Sequence, residues 1–297
     1  MPLRQKSVQE YGRLCDGLNV RGYLLPHDEK EQDRLDFLYQ ALKFVLCSNE
    51  LIHVPHPPNG RFIDLGCGTG IWAIEVAEKY PAAYVLGVDI ASIQPPGCPP
   101  NCFFLAPLDY QNRCFLGEAP WDVVKLRMGS GSVVAWPLLY KRIWSTLRPD
   151  GWVEQWEIDF EPRSDIRSLN GTPLHQWYQR TKSAMAASGR PIAHCAKQTQ
   201  MWLRQAGFKA ISHQEIALPL NQWNQDASDT AAVWYAMAYF EIIESMCVGP
   251  LRKVFCLTEK EVQSIVSHAR QQALDPTVPT FYTIHIYKAQ KRRGGKG

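Results

Sequence analysis

One run limits what this chain can fold into more than any other: Phe62-Ile-Asp64-Leu-Gly66-Cys67-Gly68-Thr-Gly70-Ile71. It places an apolar strand, three glycines at alternating positions and then a helical stretch from Ile71 to Tyr80 in direct succession. Glycine lets the backbone turn sharply and brings main-chain N–H groups close to a ligand that bulky side chains would block. Asp64 stands at the strand end, where its carboxylate can meet a positively charged amino group. The next apolar strand, Val85-Leu-Gly-Val-Asp89, also ends in an acid, placed to accept hydrogen bonds from both hydroxyls of a ribose.

Two nucleotide chemistries suit such a loop. Gly68-x-Gly70-x-x-Ala73 satisfies the dinucleotide fingerprint. Asp64, however, would repel a pyrophosphate, and a second mononucleotide half is not recognisable, so S-adenosylmethionine (SAM) is the expected cofactor. Gly66, Cys67, Gly68, Gly70 and Ile90 are expected to line its site with Asp64 and Asp89.

From Arg61 to Ile158 short apolar runs alternate with helical stretches, which implies crossover connections and a parallel sheet covered on both faces. The expected fold class is therefore α/β: a Rossmann-like, mainly parallel sheet flanked by helices, with helical lid insertions; with SAM as the expected cofactor this is the class I methyltransferase fold, for which seven strands are expected. Arg148-Pro-Asp-Gly151 reads as the turn before the fifth strand. Apolar spacing from Glu31 to Leu46 predicts an N-terminal helix within a helical segment 1–58, whose first 20 residues show no pattern. The domain proper is expected over 59–290, with insertions at about 162–196 and 222–278, and a basic flexible tail at 291–297. Lys197 to Ala206 reads as a helix stopped by Gly207, Lys209 to Leu220 as a strand, and Thr258-Glu-Lys-Glu261 as a capping box before another helix. Trp202, Leu203 and Phe208 are expected in the core.

At 297 residues, 45% hydrophobic and 21% charged, the chain can bury a sizeable core. Its formal charge of +3 lies partly in the tail, which gives no strong nucleic-acid signal. The opening residues hold no apolar core of leader length and no run of about 18 uncharged apolar residues occurs, so neither leader nor membrane span is expected, and the predicted location is cytoplasmic, or nuclear if the tail serves as an address. The nine cysteines are irregularly spaced, and the pair Cys98/Cys102 lacks the partners of a zinc site; no metal is expected.

Together these features resemble the SAM-dependent methyltransferases of filamentous fungi related to LaeA, known as secondary-metabolism regulators and tailoring enzymes. The resemblance runs from Tyr23 to Lys288 and rests on Tyr23-Leu-Leu-Pro-His-Asp-Glu-Lys-Glu-Gln-Asp-Arg-Leu-Asp36, the loop Asp64 to Trp72, Ile93-Gln-Pro, Pro99-Pro-Asn101, Leu126-Arg-Met128, Trp136-Pro and Gly151-Trp-Val-Glu154. It implies that Tyr23 and Arg34 cover the cofactor. The family's paired acids after the third strand are replaced here by Ala106 and Pro107, and Asp109 is the candidate to substitute for them.

Ligands of open α/β sheets lie beyond the carboxyl ends of the strands, which singles out Arg127, Met128, Glu157 and Asp159. Arg127 is a candidate for holding the cofactor loop or a substrate carboxylate, and Glu157 for a base or an exposed strand-end acid. His175, beside Trp177 and Tyr178, is the candidate general base. Trp234, Tyr235, Tyr239 and Phe240 are candidates for the wall of an acceptor pocket. The leading expectation is O-methylation of a small-molecule intermediate. A nuclear regulator working through protein partners and an enzyme performing a non-methylating rearrangement are the alternatives; the oligomeric state is left open.

Overall fold

The computed structural model describes residues 7–10, 12–16, 23–46, 50–111, 120–221, 238 and 240–292. It divides into two compact units: Met1–Asn49 with Ile158–Ala193 and Ile216–Ile284, and Glu50–Glu157 with His194–Glu215 and His285–Gly297.

The main sheet has seven strands. Its strands are β3 (Arg61–Leu65), β4 (Tyr84–Val88), β5 (Cys102–Leu105), β6 (Trp121–Arg127), β7 (Leu147–Arg163), β8 (Lys209–Pro219) and β9 (Phe281–Gln290), in the order β5-β4-β3-β6-β7-β9-β8. Every pairing from β5 across to β7 is parallel, as the alternation of strands and helices requires. The crossover helices are α2 (Ile71–Lys79) and α3 (Trp136–Thr146), and α5 (Ala196–Ala206) precedes β8. Ile63, Leu65, Val124, Leu126, Tyr140, Ile143, Leu203 and Phe208 form one buried cluster, with Trp202 packed at its margin. Gly207 ends α5 in the left-handed region at φ +106, as its sequence position implied.

The Arg148–Gly151 turn takes a different form from the one expected. It lies inside β7, as a bulge between the pairings Trp121↔Leu147 and Val123↔Trp152. Asp150 has φ +67, and a Cβ on Gly151 would come within 3.1 Å of three main-chain oxygens, so the chain folds out and back without leaving the sheet.

The first unit holds a two-stranded antiparallel hairpin, β1 (Ser7–Glu10) and β2 (Arg13–Asp16), in the stretch that shows no pattern in the sequence. Helix α1 (Glu29–Val45) follows; its N-cap Asp28 accepts from the Glu31 amide and from the Arg13 guanidinium, tying hairpin to helix. Helices α4 (Pro173–Ala187), α6 (Val248–Phe255) and α7 (Glu259–Ala273) fall in the expected insertions, and Thr258 and Glu261 form the reciprocal cap read from the sequence. The Trp177 indole N–H donates to the Ile243 carbonyl, and the Arg270 guanidinium lies 4.1 Å from the Phe240 ring centre. Trp234, Tyr235, Tyr239 and tail residues 293–297 lie outside the described residues. Among the described residues no helix is long and apolar enough to cross a membrane.

Candidate functional site

The strand ends of β3, β4, β6 and β7 bring most of the expected residues together in the second unit. Asp64 sits at the end of β3, fully buried. Arg127, two positions beyond Asp64's β6 partner Lys125, donates from Nη2 to Asp64 Oδ2 at 3.0 Å. Asp64 Oδ1 is buried and has no hydrogen-bond partner among the described residues. Burial raises the Asp64 carboxyl, outweighing the nearby Arg127 and Lys125. A buried carboxylate oxygen left unmatched is costly unless a donor arrives, and a cationic ammonium is the matching chemistry.

The glycine loop wraps over Asp89. Its Oδ2 accepts from the Gly68 amide at 2.7 Å and its Oδ1 from the Ala91 amide at 2.8 Å, while Gln94 ties the loop from below through the Gly68 and Ala91 carbonyls. The Ile90 amide adds to these two amides, and the acceptor capacity the carboxylate keeps suits ribose hydroxyls. Burial pushes the Asp89 carboxyl up to about 6 against the pull of those amides. Cys67 is buried beneath the loop, and burial together with Asp89 and Asp64 drives its thiol well up, so it serves as packing. Ile90 is half-buried.

Gly66, Gly68 and Gly70 all have positive φ, and Gly70 also meets a packing demand. A Cβ on Gly70 would stand 2.5 Å from the Phe104 ring, so this glycine makes room for a side chain of β5 at the start of α2. Gly70→Ala is expected to lower stability by about 1–2 kcal/mol through its left-handed backbone alone, and more through the clash. Urea unfolding of Gly70→Ala and of Gly70→Ala/Phe104→Leu separates the two effects, since only the clash is relieved in the double variant.

Glu157 differs from the exposed strand-end acid expected. It is fully buried at the end of β7's core segment, with Oε1 accepting from the Gly129 amide and Gln155 Nε2 and Oε2 from the Ser130 amide, all at 3.0 Å. Met128 enters this loop at φ +51, a conformation unfavourable for a long side chain and held by the hydrogen bond its N–H donates to the Trp156 carbonyl. Asp109 turns back on its own loop and accepts from the Gln111 amide at 2.9 Å. Gln111 in turn clasps the Ser132 carbonyl and the Val134 amide.

Tyr23 and His175 belong to the first unit. Arg190 faces the Tyr23 ring at 5.6 Å, Arg34 pairs with Glu31, and half-buried His175 contacts the Gln179 amide group on the same helix. Trp177 and Tyr178 are buried in that unit's own core. Asp159, also of the first unit, is paired with Arg163.

Sequence reading missed what lies beneath the loop. Lys125 and Glu154, adjacent on β6 and β7, are both fully buried, with Nζ 2.6 Å from Oε1 and 3.5 Å from the Trp156 ring centre. His53 donates its amide to Glu154 Oε2 at 2.8 Å and places Nδ1 3.1 Å from Oε1. A lysine interrupting the apolar run Val123-Val-Lys125-Leu126 was the available signal, since a charge inside a central parallel strand demands a buried partner.

A family model described as a methyltransferase domain matches residues 29–213. The secondary metabolism regulator laeA of Aspergillus fumigatus is 48% identical over 98% of this chain and 78% of its own length. A relative in Emericella nidulans called protein-methionine methyltransferase laeA is 47% identical over 97% of this chain and 77% of its own. Among solved structures, a Haemonchus contortus phosphoethanolamine N-methyltransferase in complex with SAM aligns with a TM-score of 0.50 at 13% identity, over 94% of this chain and 62% of that one. The fold, the glycine loop between two strand-end acids and near-full-length likeness to these regulators place the chain in one family: it belongs to the methyltransferase-domain proteins of the fungal LaeA type.

Proposed function

We propose that this chain is a SAM-dependent methyltransferase that acts in the control of secondary metabolism by methylating a protein side chain, with a methionine thioether as the favoured acceptor. The observation that carries the reading is likeness to such regulators over nearly the whole chain, one of them named for protein-methionine methylation. The chemistry of the second unit agrees with it. Its buried strand-end acids are engaged: Asp64 with Arg127, Asp89 with two loop amides, Glu157 with two more. A thioether attacks through a neutral lone pair and needs no base, whereas a phenol with an ordinary pKa of about 10 gains from one.

Bound SAM supplies an electrophilic methyl on a sulfonium. In this proposal Asp64 faces its ammonium, with Arg127 holding that carboxylate in place, and Asp89 accepts from its ribose hydroxyls. Glu157 acts through the Gly129 and Ser130 amides, fixing the loop after β6 where an acceptor would be aligned.

The test is incubation of the purified chain with trideuteromethyl-SAM in an extract of its source cells, followed by mass analysis of proteins and small molecules. A protein methionine gaining one labelled methyl in a sulfonium is the expected result. Label recovered only on an oxygen of a small molecule would replace this reading with the tailoring enzyme, and no label with SAM bound would turn it toward a non-methylating role.

A further inference from the structure

At the β8–β9 edge of the second unit three side chains converge that the cofactor site does not use. His213 and Glu215 are two apart on β8 and so share a face; His285 reaches them from β9. His213 Nε2 lies 3.0 Å from His285 Nδ1, and Glu215 Oε1 lies 3.7 Å and 3.6 Å from those same two nitrogens. We propose that His213, Glu215 and His285 form a binding site for a first-row divalent cation of the zinc class.

In the plane of the three ligand atoms the equidistant point lies about 2.0 Å from each, the bond length at which zinc takes imidazole nitrogen and carboxylate oxygen, and a shift of a few tenths of an ångström by the exposed Glu215 carboxylate toward the two rings would let the ion rise out of that plane into a tetrahedral site. Without a cation, one imidazole N–H can satisfy the other ring, but the carboxylate stays outside hydrogen-bond range of both. The rings are held for this task. The Gln200 side-chain amide lies against His213 Nδ1 at 3.3 Å; turned so that its oxygen accepts from Nδ1–H, it leaves the Nε2 lone pair for the cluster, and Tyr287 stacks on the His213 ring with centres 4.5 Å apart. The Tyr287 hydroxyl lies 2.7 Å from His194 Nε2, engaging that ring. His285 is buried while the Glu215 side chain is 54% exposed, so the site has a fixed floor and an open side through which an ion can enter and a water can complete tetrahedral coordination. Two imidazoles and one carboxylate favour zinc-class ions over magnesium or calcium, which take oxygen ligands. Bridging β8 to β9, the ion would fasten the last strand of the sheet.

The experiment uses the untagged full chain, stripped with EDTA and titrated with CoCl2 while its visible spectrum is recorded. One equivalent of cobalt is expected to produce the absorption of a tetrahedral centre, displaced by ZnCl2 and unmoved by MgCl2. His213→Gln should abolish the band. Glu215→Gln, at a half-exposed position that leaves the fold intact, should weaken cobalt binding by at least about tenfold, in line with loss of a charged ligand. Cys98→Ser should leave the titration unchanged, setting aside a thiol site. No band in the folded parent, or an equal band in His213→Gln, would overturn the proposal, as would unaltered affinity in Glu215→Gln.

Discussion

Replacing Lys125 by methionine is expected to lower the unfolding free energy by about 3–5 kcal/mol, the cost of leaving a buried charge without its partner. Lys125 and Glu154 are both fully buried and meet at 2.6 Å in the middle of the sheet, so neither water nor an exposed ion can replace the lost ammonium. His53 remains on Glu154 but supplies a neutral amide and one ring nitrogen, short of a full countercharge. The double variant Lys125→Met/Glu154→Gln should regain more than half the loss, because the glutamine carbonyl can still accept from His53 with no charge to desolvate. Urea unfolding at constant slope measures both; a loss below about 1 kcal/mol in the single variant would show that the pair is not the buried unit described. A pH dependence follows. Burial alone would raise the Glu154 carboxyl, but Lys125 and His53 outweigh it and hold it at about 2. A carboxyl depressed in the folded state stabilises the fold fully above its unfolded value near 4.5 and loses that contribution as pH falls through the folded value. The parent should therefore weaken between about pH 4.5 and 2 by more than Lys125→Met does.

The sheet and the cofactor loop were legible because their signals are local. Phe62 to Ile71 contains strand, turn and helix start within ten residues, and Thr258 with Glu261 announces a helix through a contact three residues apart. What escaped depends on partners far apart in the chain. Lys125 meets Glu154 across 29 residues, and His213 meets His285 across 72, distances over which no spacing rule operates. Glu157 looked like a strand-end acid because periodicity cannot tell that the Gly129 and Ser130 amides would fold back onto it. Gly70 carries a demand that the ligand motif does not show: its immediate neighbour is Phe104, a contact made across the chain. The hairpin at 7–16 lacked apolar alternation; the Arg13–Asp28 pair that anchors it crosses from strand to helix cap.

SAM affinity is expected to be nearly constant from about pH 7 down to about 6 and to fall below that, approaching tenfold per pH unit. The reason lies in Asp89. Ionised, its two oxygens accept the Gly68 and Ala91 amides and keep acceptor capacity for ribose hydroxyls. Protonated, one oxygen becomes a donor, which opposes the loop amide and removes an acceptor from the ribose. Burial raises this carboxyl to about 6, so the change falls within a range where binding can be measured by calorimetry. Asp89→Asn should mimic the protonated state at every pH: about 5- to 150-fold weaker binding at neutral pH, equivalent to about 1–3 kcal/mol, with the step near pH 6 absent. Other groups that titrate in this range, histidines included, affect parent and variant alike, so the difference between the two profiles isolates Asp89. A parent and a folded Asp89→Asn variant with the same affinity and the same pH profile would mean that the ribose is held elsewhere. In that case the acid at the end of β4 would serve only to fasten the glycine loop through Gly68 and Ala91.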